Sequence, residues 1–330
     1  MIADAAAVID SEIEVGGPLQ AEAEARSLIE LLDALQGGED WAERRLWPEW
    51  EAALPGPLKV TLRRILYAIL SAIEARAQAI GEIDPALPLD ELYLLLPNSA
   101  LPSPFGRLNP GSPEIQDVLV PTARAASALY RGAASLAQGV DEAALEALIG
   151  FKGGLQFSLK TPHGWILLRG SGDDLYDPYL DDRLQEPILL LIDLGGDDTY
   201  RIPAGATSGP DHGLSLHLDL GGNDSYHYEE FGSPYDLEGL LPSDEAGRHE
   251  GDEFWGPFSL SSVARQGSGI LGYGFLVDLG GGADEYRSLR YGQGFGAFGV
   301  GLLYDDGGDD RYTLEAAGQG AGVGGLGLLI

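Results

Sequence analysis

The sequence predicts an α+β chain in two parts. A helical N-terminal domain spans residues 1–150, and a parallel β-solenoid of about 26 residues per coil spans 151–330. Three observations predict it. The first is a recurring acidic turn. Asp193-Leu-Gly-Gly-Asp-Asp-Thr-Tyr200 returns as Asp219-Leu-Gly-Gly-Asn-Asp-Ser-Tyr226, as Asp278-Leu-Gly-Gly-Gly-Ala-Asp-Glu-Tyr286 and as Asp305-Asp-Gly-Gly-Asp-Asp-Arg-Tyr312. With a degenerate first copy ending at Tyr176, the tyrosines lie 24, 26, 60 and 26 residues apart, one period with one insertion. The second is glycine, with 11 of 48 in residues 1–150 and 37 beyond, which marks a change of structural class. The third is a helical apolar stripe confined to the first part, Leu58, Leu62, Ile65, Leu66, Ile69, Leu70 and Ile73.

In chain order, residues 18–35 read as a helix with Pro18 at its start and Gly37-Gly38 as its stop. Residues 40–54 form a second short helix that Pro48 kinks or divides, and residues 57–80 form the longest. A short helix follows at 89–96, then a proline-rich loop over 97–113, an Ala-rich helix at 122–138, and a last helix capped by Asp141. This part contains no histidine, and its acids suit solvent faces and first turns. A capping or docking role fits, because an open β-stack leaves an edge that needs covering.

Residues 155–160 and 165–168 read as two strands around a turn, and Ile188-Leu-Leu-Leu-Ile192 as a strand buried on both faces. Within a repeat, Gly292-Gln-Gly-Phe-Gly-Ala-Phe-Gly-Val-Gly301 places glycines at alternate positions. They allow another backbone, of the next coil or of an opposite wall, to approach closely. Gly294, Gly296 and Gly299 fit the dinucleotide-binding pattern literally. The match recurs with the coil and leads into a strand rather than a helix, so it does not indicate a nucleotide site.

The formal net charge is −32 and both parts share it. Such a chain repels nucleic acid and anionic lipid and attracts cations. With no cysteine, thiolate sites and disulfides are excluded. No stretch reaches the ~18 apolar residues of a membrane helix, so membrane insertion is not expected. The N-terminus lacks the basic and apolar segments of a signal peptide. The last repeat stops at Ile330, where another turn is due, which reads as a piece of a longer protein.

Two readings of the acidic turn stay open. In one, each aspartate caps its own turn by accepting glycine amides, and tyrosine packs between coils. In the other, stacked turns build oxygen cages. Carboxylates one strand spacing apart, about 5 Å, repel by roughly 3–4 kcal/mol at an effective dielectric of 20, and cations between the rungs relieve this. Hard divalent ions fit, Ca²⁺ better than Mg²⁺ in irregular loops. Asp193, Asp197, Asp198, Asp219, Asp224, Asp278, Asp284, Asp305, Asp309 and Asp310 would then be the ligands.

Gly195-Gly-Asp-Asp-Thr-Tyr200 and Gly221-Gly-Asn-Asp-Ser-Tyr226 resemble the Gly-Gly-x-Gly-x-Asp turns of RTX-type calcium-binding β-roll proteins. The resemblance implies a secreted, Ca²⁺-dependent parallel β-solenoid. It covers only the short turns, and the nine-residue repeat of that family is replaced by one near 26. The expected function is a non-catalytic structural or binding protein, extracellular or at the cell surface, with cations and a carbohydrate or protein as partners.

Residues 227–260 hold the insertion, about 34 residues beyond one period. His249, Glu250, Asp252 and Glu253 stand beside Phe254 and Trp255, so a polysaccharide-acting hydrolase or lyase is the rival expectation.

Overall fold

The structure, a computed structural model, describes residues 23, 25–37, 42–81, 93, 128–140, 142–149, 151, 156–227, 248–249, 258–259 and 263–330. The chain divides into two compact units, Met1–Glu82 with Ala125–Lys152 and Ile83–Arg124 with Gly153–Ile330.

The first unit is helical. Of the helix expected over 18–35, residues 18–22 and 24 lie outside the described residues; helix α1 (Leu28–Leu35) begins after Ser27, which caps it. The Ser27 hydroxyl accepts from Glu30 N and the Glu30 carboxylate accepts from Ser27 N, a reciprocal capping box. A 3₁₀ turn (Ala42–Leu46) precedes α2 (Trp47–Ala53), and Pro48 lies in the first turn of α2, where its missing N–H is harmless. Helix α3 (Gly56–Gly81) buries Leu58, Leu62, Ile65, Leu66 and Ile69 as the stripe predicts, and α1 packs on it. Helix α4 (residues 128–139) crosses α3 closely, since a Cβ at Gly139 would lie 2.5 Å from that of Ala68. Arg64 donates to Gln138 O at 3.0 Å near the C-terminal end of α4, where a cation is favoured. Helix α5 (Glu142–Ile149) closes the unit. The expected helix at 89–96 lies outside the described residues apart from Tyr93. Among the described residues no helix is long and apolar enough to cross a membrane.

The second unit is the solenoid. Its strands in chain order are β1 (Phe157–Thr161), β2 (Gly164–Leu168), β3 (Leu175–Tyr176), β4 (Ile188–Asp193), β5 (Thr199–Tyr200), β6 (Leu214–Asp219) and β7 (Ser225–His227). After two short strands in the insertion, β8 (Arg248–His249) and β9 (Phe258–Ser259), come β10 (Gly269–Ile270), β11 (Tyr273–Asp278), β12 (Glu285–Gly292) and β13 (Gly296–Ala297). The last are β14 (Val300–Asp305), β15 (Arg311–Gly318), β16 (Gly322–Val323) and β17 (Leu326–Leu329). Three walls result. The long wall is β1-β2-β4-β6-β11-β14-β17, the second is β3-β5-β7-β12-β15 and the third is β10-β13-β16. Within the walls every pair but β1–β2 is parallel. The antiparallel β1 covers the first edge of the long wall. Register is strict: Asp193, Asp219, Asp278 and Asp305 pair in one row, and Tyr176, Tyr200, Tyr226, Tyr286 and Tyr312 in another.

The alternating glycines press on the opposite wall of their own coil. A Cβ at Gly274 would lie 2.1 Å from Ser268 O, and one at Gly301 would lie 2.1 Å from Phe295 O. The third and long walls therefore meet backbone to backbone there. Residues 266–267, 293–294 and 319–320 form the bend before the third wall, each a glutamine with φ between 46° and 54° followed by a glycine near 75°. Consecutive left-handed residues turn the chain sharply, which costs energy at the non-glycine position.

Candidate metal centre

The chain turns from the long wall into the second wall at Asp-Leu-Gly-Gly in three coils, at residues 193, 219 and 278, and at Asp305-Asp-Gly-Gly in the next. The first aspartate folds this turn over itself, with Gly195 N donating to Asp193, Gly221 N to Asp219 and Gly307 N to Asp305, each at 3.0 Å. Glycine is required because Gly195, Gly196, Gly221 and Gly222 have φ between 114° and 158°, and a Cβ at Gly222 would lie 1.6 Å from Gly196 O.

The turn also binds its neighbours. The inner aspartates form a ladder in which each carboxylate accepts the amide of its counterpart one coil earlier. Asp174 N donates to Asp198 (2.6 Å), Asp198 N to Asp224 (2.7 Å), Asp224 N to Asp284 (2.6 Å) and Asp284 N to Asp310 (3.0 Å). An outer ladder runs the other way, from Asp197 N to Asp173, Asn223 N to Asp197 and Ala283 N to Asn223. A third column is the tyrosines, whose rings stack at 4.6–4.8 Å with interplanar angles of 4–16°. That is the strand spacing.

The tyrosine hydroxyls donate to the first aspartates. Tyr176 donates to Asp193, Tyr200 to Asp219 (2.5 Å), Tyr226 to Asp278 (2.9 Å), Tyr286 also to Asp278 (2.7 Å) and Tyr312 to Asp305 (2.6 Å). The first three reach forward to the next coil, and the last two reach back to the turn they follow.

First and inner aspartates converge in three triads: Asp198–Asp219–Asp224, Asp224–Asp278–Asp284 and Asp284–Asp305–Asp310, with one ligand atom from each residue lying within 4.8 Å of the others. Asp224 belongs to two triads and Asp284 to two. Asp193 is fully buried against Tyr176 and lies outside these three, while Asp197 and Asp309 face solvent. Sequence spacing alone placed all ten together; the alternation of inner and outer positions within the turn separates them.

Burial sets the electrostatics. Removal from water, with neighbouring carboxylates adding to it, raises Asp193 and Asp198 to about 7 and Asp284 to about 6. It pushes Asp219, Asp224 and Asp278 upward as well. The same burial raises the five tyrosines, which stay as O–H donors. Asp224 is 2 % exposed. Its Oδ1 takes the Asp198 amide, but its Oδ2 is buried with no donor. An ionised oxygen in that state is costly, and the donor set around it is all carboxylate, the chemistry hard divalent cations take.

Among the described residues no histidine joins a cluster of metal-ligating groups. His217 is buried, held neutral by removal from water, and meets the Tyr200 ring edge-on at 4.6 Å, whereas His227 pairs with Glu285 at 3.4 Å. In the insertion, Glu250, Asp252, Glu253, Phe254 and Trp255 lie outside the described residues, and only the antiparallel pair β8–β9 is described.

Fold and corner together define an acidic-cornered parallel β-solenoid. No protein-family model, curated protein or solved structure matches the chain.

Proposed function

We propose that this is a non-catalytic structural or binding solenoid whose acidic corner holds divalent cations, Ca²⁺ foremost, in the three aspartate triads. The observation that carries the reading is Asp224. It is shared by two triads and nearly fully buried, and one of its carboxylate oxygens has no donor. A divalent ion in each triad supplies positive charge to a column that otherwise contains only acids. Ca²⁺ suits it because peptide carbonyls and water complete an irregular shell of six to eight oxygens, whereas Mg²⁺ demands a near-ideal octahedron. Extracellular calcium modules work at roughly 10⁻⁴–10⁻³ M, so an extracellular or cell-surface setting, with a carbohydrate or protein partner, belongs to the same reading.

The test is calorimetric titration of metal-stripped protein with CaCl₂ and MgCl₂, alongside thermal unfolding in Ca²⁺ and in chelator. We expect saturable Ca²⁺ binding, weaker Mg²⁺ binding, and a transition raised by several degrees in millimolar Ca²⁺, since a ligand of the folded state stabilises it by mass action. Coincident transitions in Ca²⁺ and chelator, with no heat of binding, would leave the corner as a self-contained turn.

A further inference from the structure

The three triads of the acidic corner differ in how an ion could reach them. Asp198, Asp219, Asp224, Asp278 and Asp284, which make up the first two, are 0–3 % exposed. In the third, Asp305 and Asp310 are half-buried, and residues 306–309 of the turn between them are exposed.

Each side of the first two triads is closed by a different part of the coil. Outward, the turn glycines stack backbone on backbone: a Cβ at Gly222 would lie 1.6 Å from Gly196 O, and one at Gly282 would lie 1.7 Å from Gly222 O. Inward, the rings of Tyr200, Tyr226 and Tyr286 stack at 4.7–4.8 Å with their hydroxyls on Asp219 and Asp278. Between coils, the amides of Asp198 and Asp224 close on the carboxylates of Asp224 and Asp284. The gap from coil to coil is one strand spacing, about 4.8 Å. A calcium ion with one water on either side already spans roughly 5 Å between oxygen centres, so it does not pass without parting the coils. Yet Asp224 Oδ2, buried in the middle of these groups without a donor, points to a positive charge there.

We propose that the first two triads are occluded cation sites: their ions enter as the coils close on one another and leave only when those coils part, whereas the ion of the third triad exchanges with solvent directly. Occlusion rests on the cation reading and adds what controls loading and release. Parting the coils breaks the amide ladder, the ring stack and the adjoining parallel strand pairs together, a sub-global opening that is rare in a folded protein. Release from the inner sites then follows the opening of the stack, and a fall in free Ca²⁺ empties the third site first.

An isotope chase tests it. The full chain is refolded in radiolabelled CaCl₂ and moved into excess unlabelled CaCl₂, and the label it retains is counted over time. We expect one ion for each of the three triads, one exchanged within the mixing time and two retained for many minutes. Release of the retained pair should quicken as urea is raised below the unfolding transition, because urea favours opening. Asp310→Asn should lose the fast ion and keep the two slow ones. Tyr226→Ala takes one ring from the stack and leaves every carboxylate in place; it should speed the slow release about tenfold or more. Should that variant fail to fold, the urea series on the native chain decides. If no label binds, the cation reading falls and occlusion falls with it. If three ions bind and all exchange within the mixing time, or if the slow release is indifferent to urea, the cation reading stands and occlusion is overturned.

Discussion

The two described corners of the solenoid, between the long and second walls and between the second and third, face the same problem and solve it in opposite ways. At each, a strand stack must bend, and backbone groups near the bend lose ladder partners. At the glutamine corner, the Gln266 amide donates to Tyr226 O (2.8 Å) and Arg287 O (2.9 Å), and the Gln293 amide to Tyr286 O and Thr313 O (3.1 Å each). One neutral side chain ties two successive coils. At the aspartate corner the stitching is as regular, but each rung adds a negative charge out of water. The glutamine ladder leaves the Gln266 and Gln293 side-chain oxygens buried without a donor but carries no charge, whereas the aspartate ladder stays balanced only when protons or cations accompany it.

The largest effect should come from the neutral corner. Gln293→Ala strands two carbonyls and keeps a left-handed backbone without its compensation. It should lose roughly 2–4 kcal/mol in denaturant unfolding, from the unmet hydrogen bonds, and equally in Ca²⁺ and in chelator. A loss that depended on Ca²⁺ would break the distinction.

Next comes pH. In chelator, the folded chain holds protons on Asp284 to about 6 and on Asp193 and Asp198 to about 7, whereas unfolded aspartates release them near 4. The folded state then binds more protons, so stability is fullest at acid pH and declines as pH rises through 6–7. Most acidic proteins behave in the reverse sense. Saturating Ca²⁺ should flatten the decline. A chelated protein that gains stability across this interval would contradict the burial seen at the corner.

Asp224→Asn should have a smaller and sign-changing effect. It keeps the Oδ1 acceptor for the Asp198 amide and removes a buried carboxyl that must take up a proton or a cation, so it should stabilise the chelated protein by about 1 kcal/mol while erasing most of the Ca²⁺-induced shift. Because Asp224 serves two triads and Asp310 one, Asp224→Asn should lower Ca²⁺ stoichiometry more than Asp310→Asn. Equal losses would argue against shared ligands. The smallest effect is expected for Tyr286→Phe, about 0.5–1.5 kcal/mol for one hydrogen bond, because Asp278 retains the Tyr226 hydroxyl.

The same contrast explains what was legible in the sequence. Period fixes register along the stack, so the rows of aspartates and tyrosines, the parallel pairing and the change of class could be read from residues 193–200 and their copies. Period says nothing of which walls meet across a coil. The glycine runs were therefore readable as close approaches, but not as contacts of Gly274 and Gly301 with the opposite wall. The recurrent Gly-Gln-Gly was visible at 292–294 and 318–320; its meaning was not, since a long polar residue between glycines becomes a bridge only once the chain turns there. The boundary at Ser27, inside the expected helix, was missed because the Ser27–Glu30 capping box interrupts an otherwise helical stretch.

The tyrosine hydroxyls carry one more consequence. The first coil has Arg169 in the row where later coils have aspartate, as the pairing of Leu168 with Ile192 places it. Tyr176 has no acid behind it and takes Asp193 ahead; Tyr200 and Tyr226 are displaced forward in turn. Tyr286 and Tyr312 point the other way, and the two senses collide on Asp278, whose Oδ2 receives both hydroxyls. The column is thus a line of dipoles with one domain wall, pinned in the coil that carries the insertion. At the wall that oxygen already accepts two hydroxyls, so the proton that burial favours on Asp278 must sit on its other oxygen.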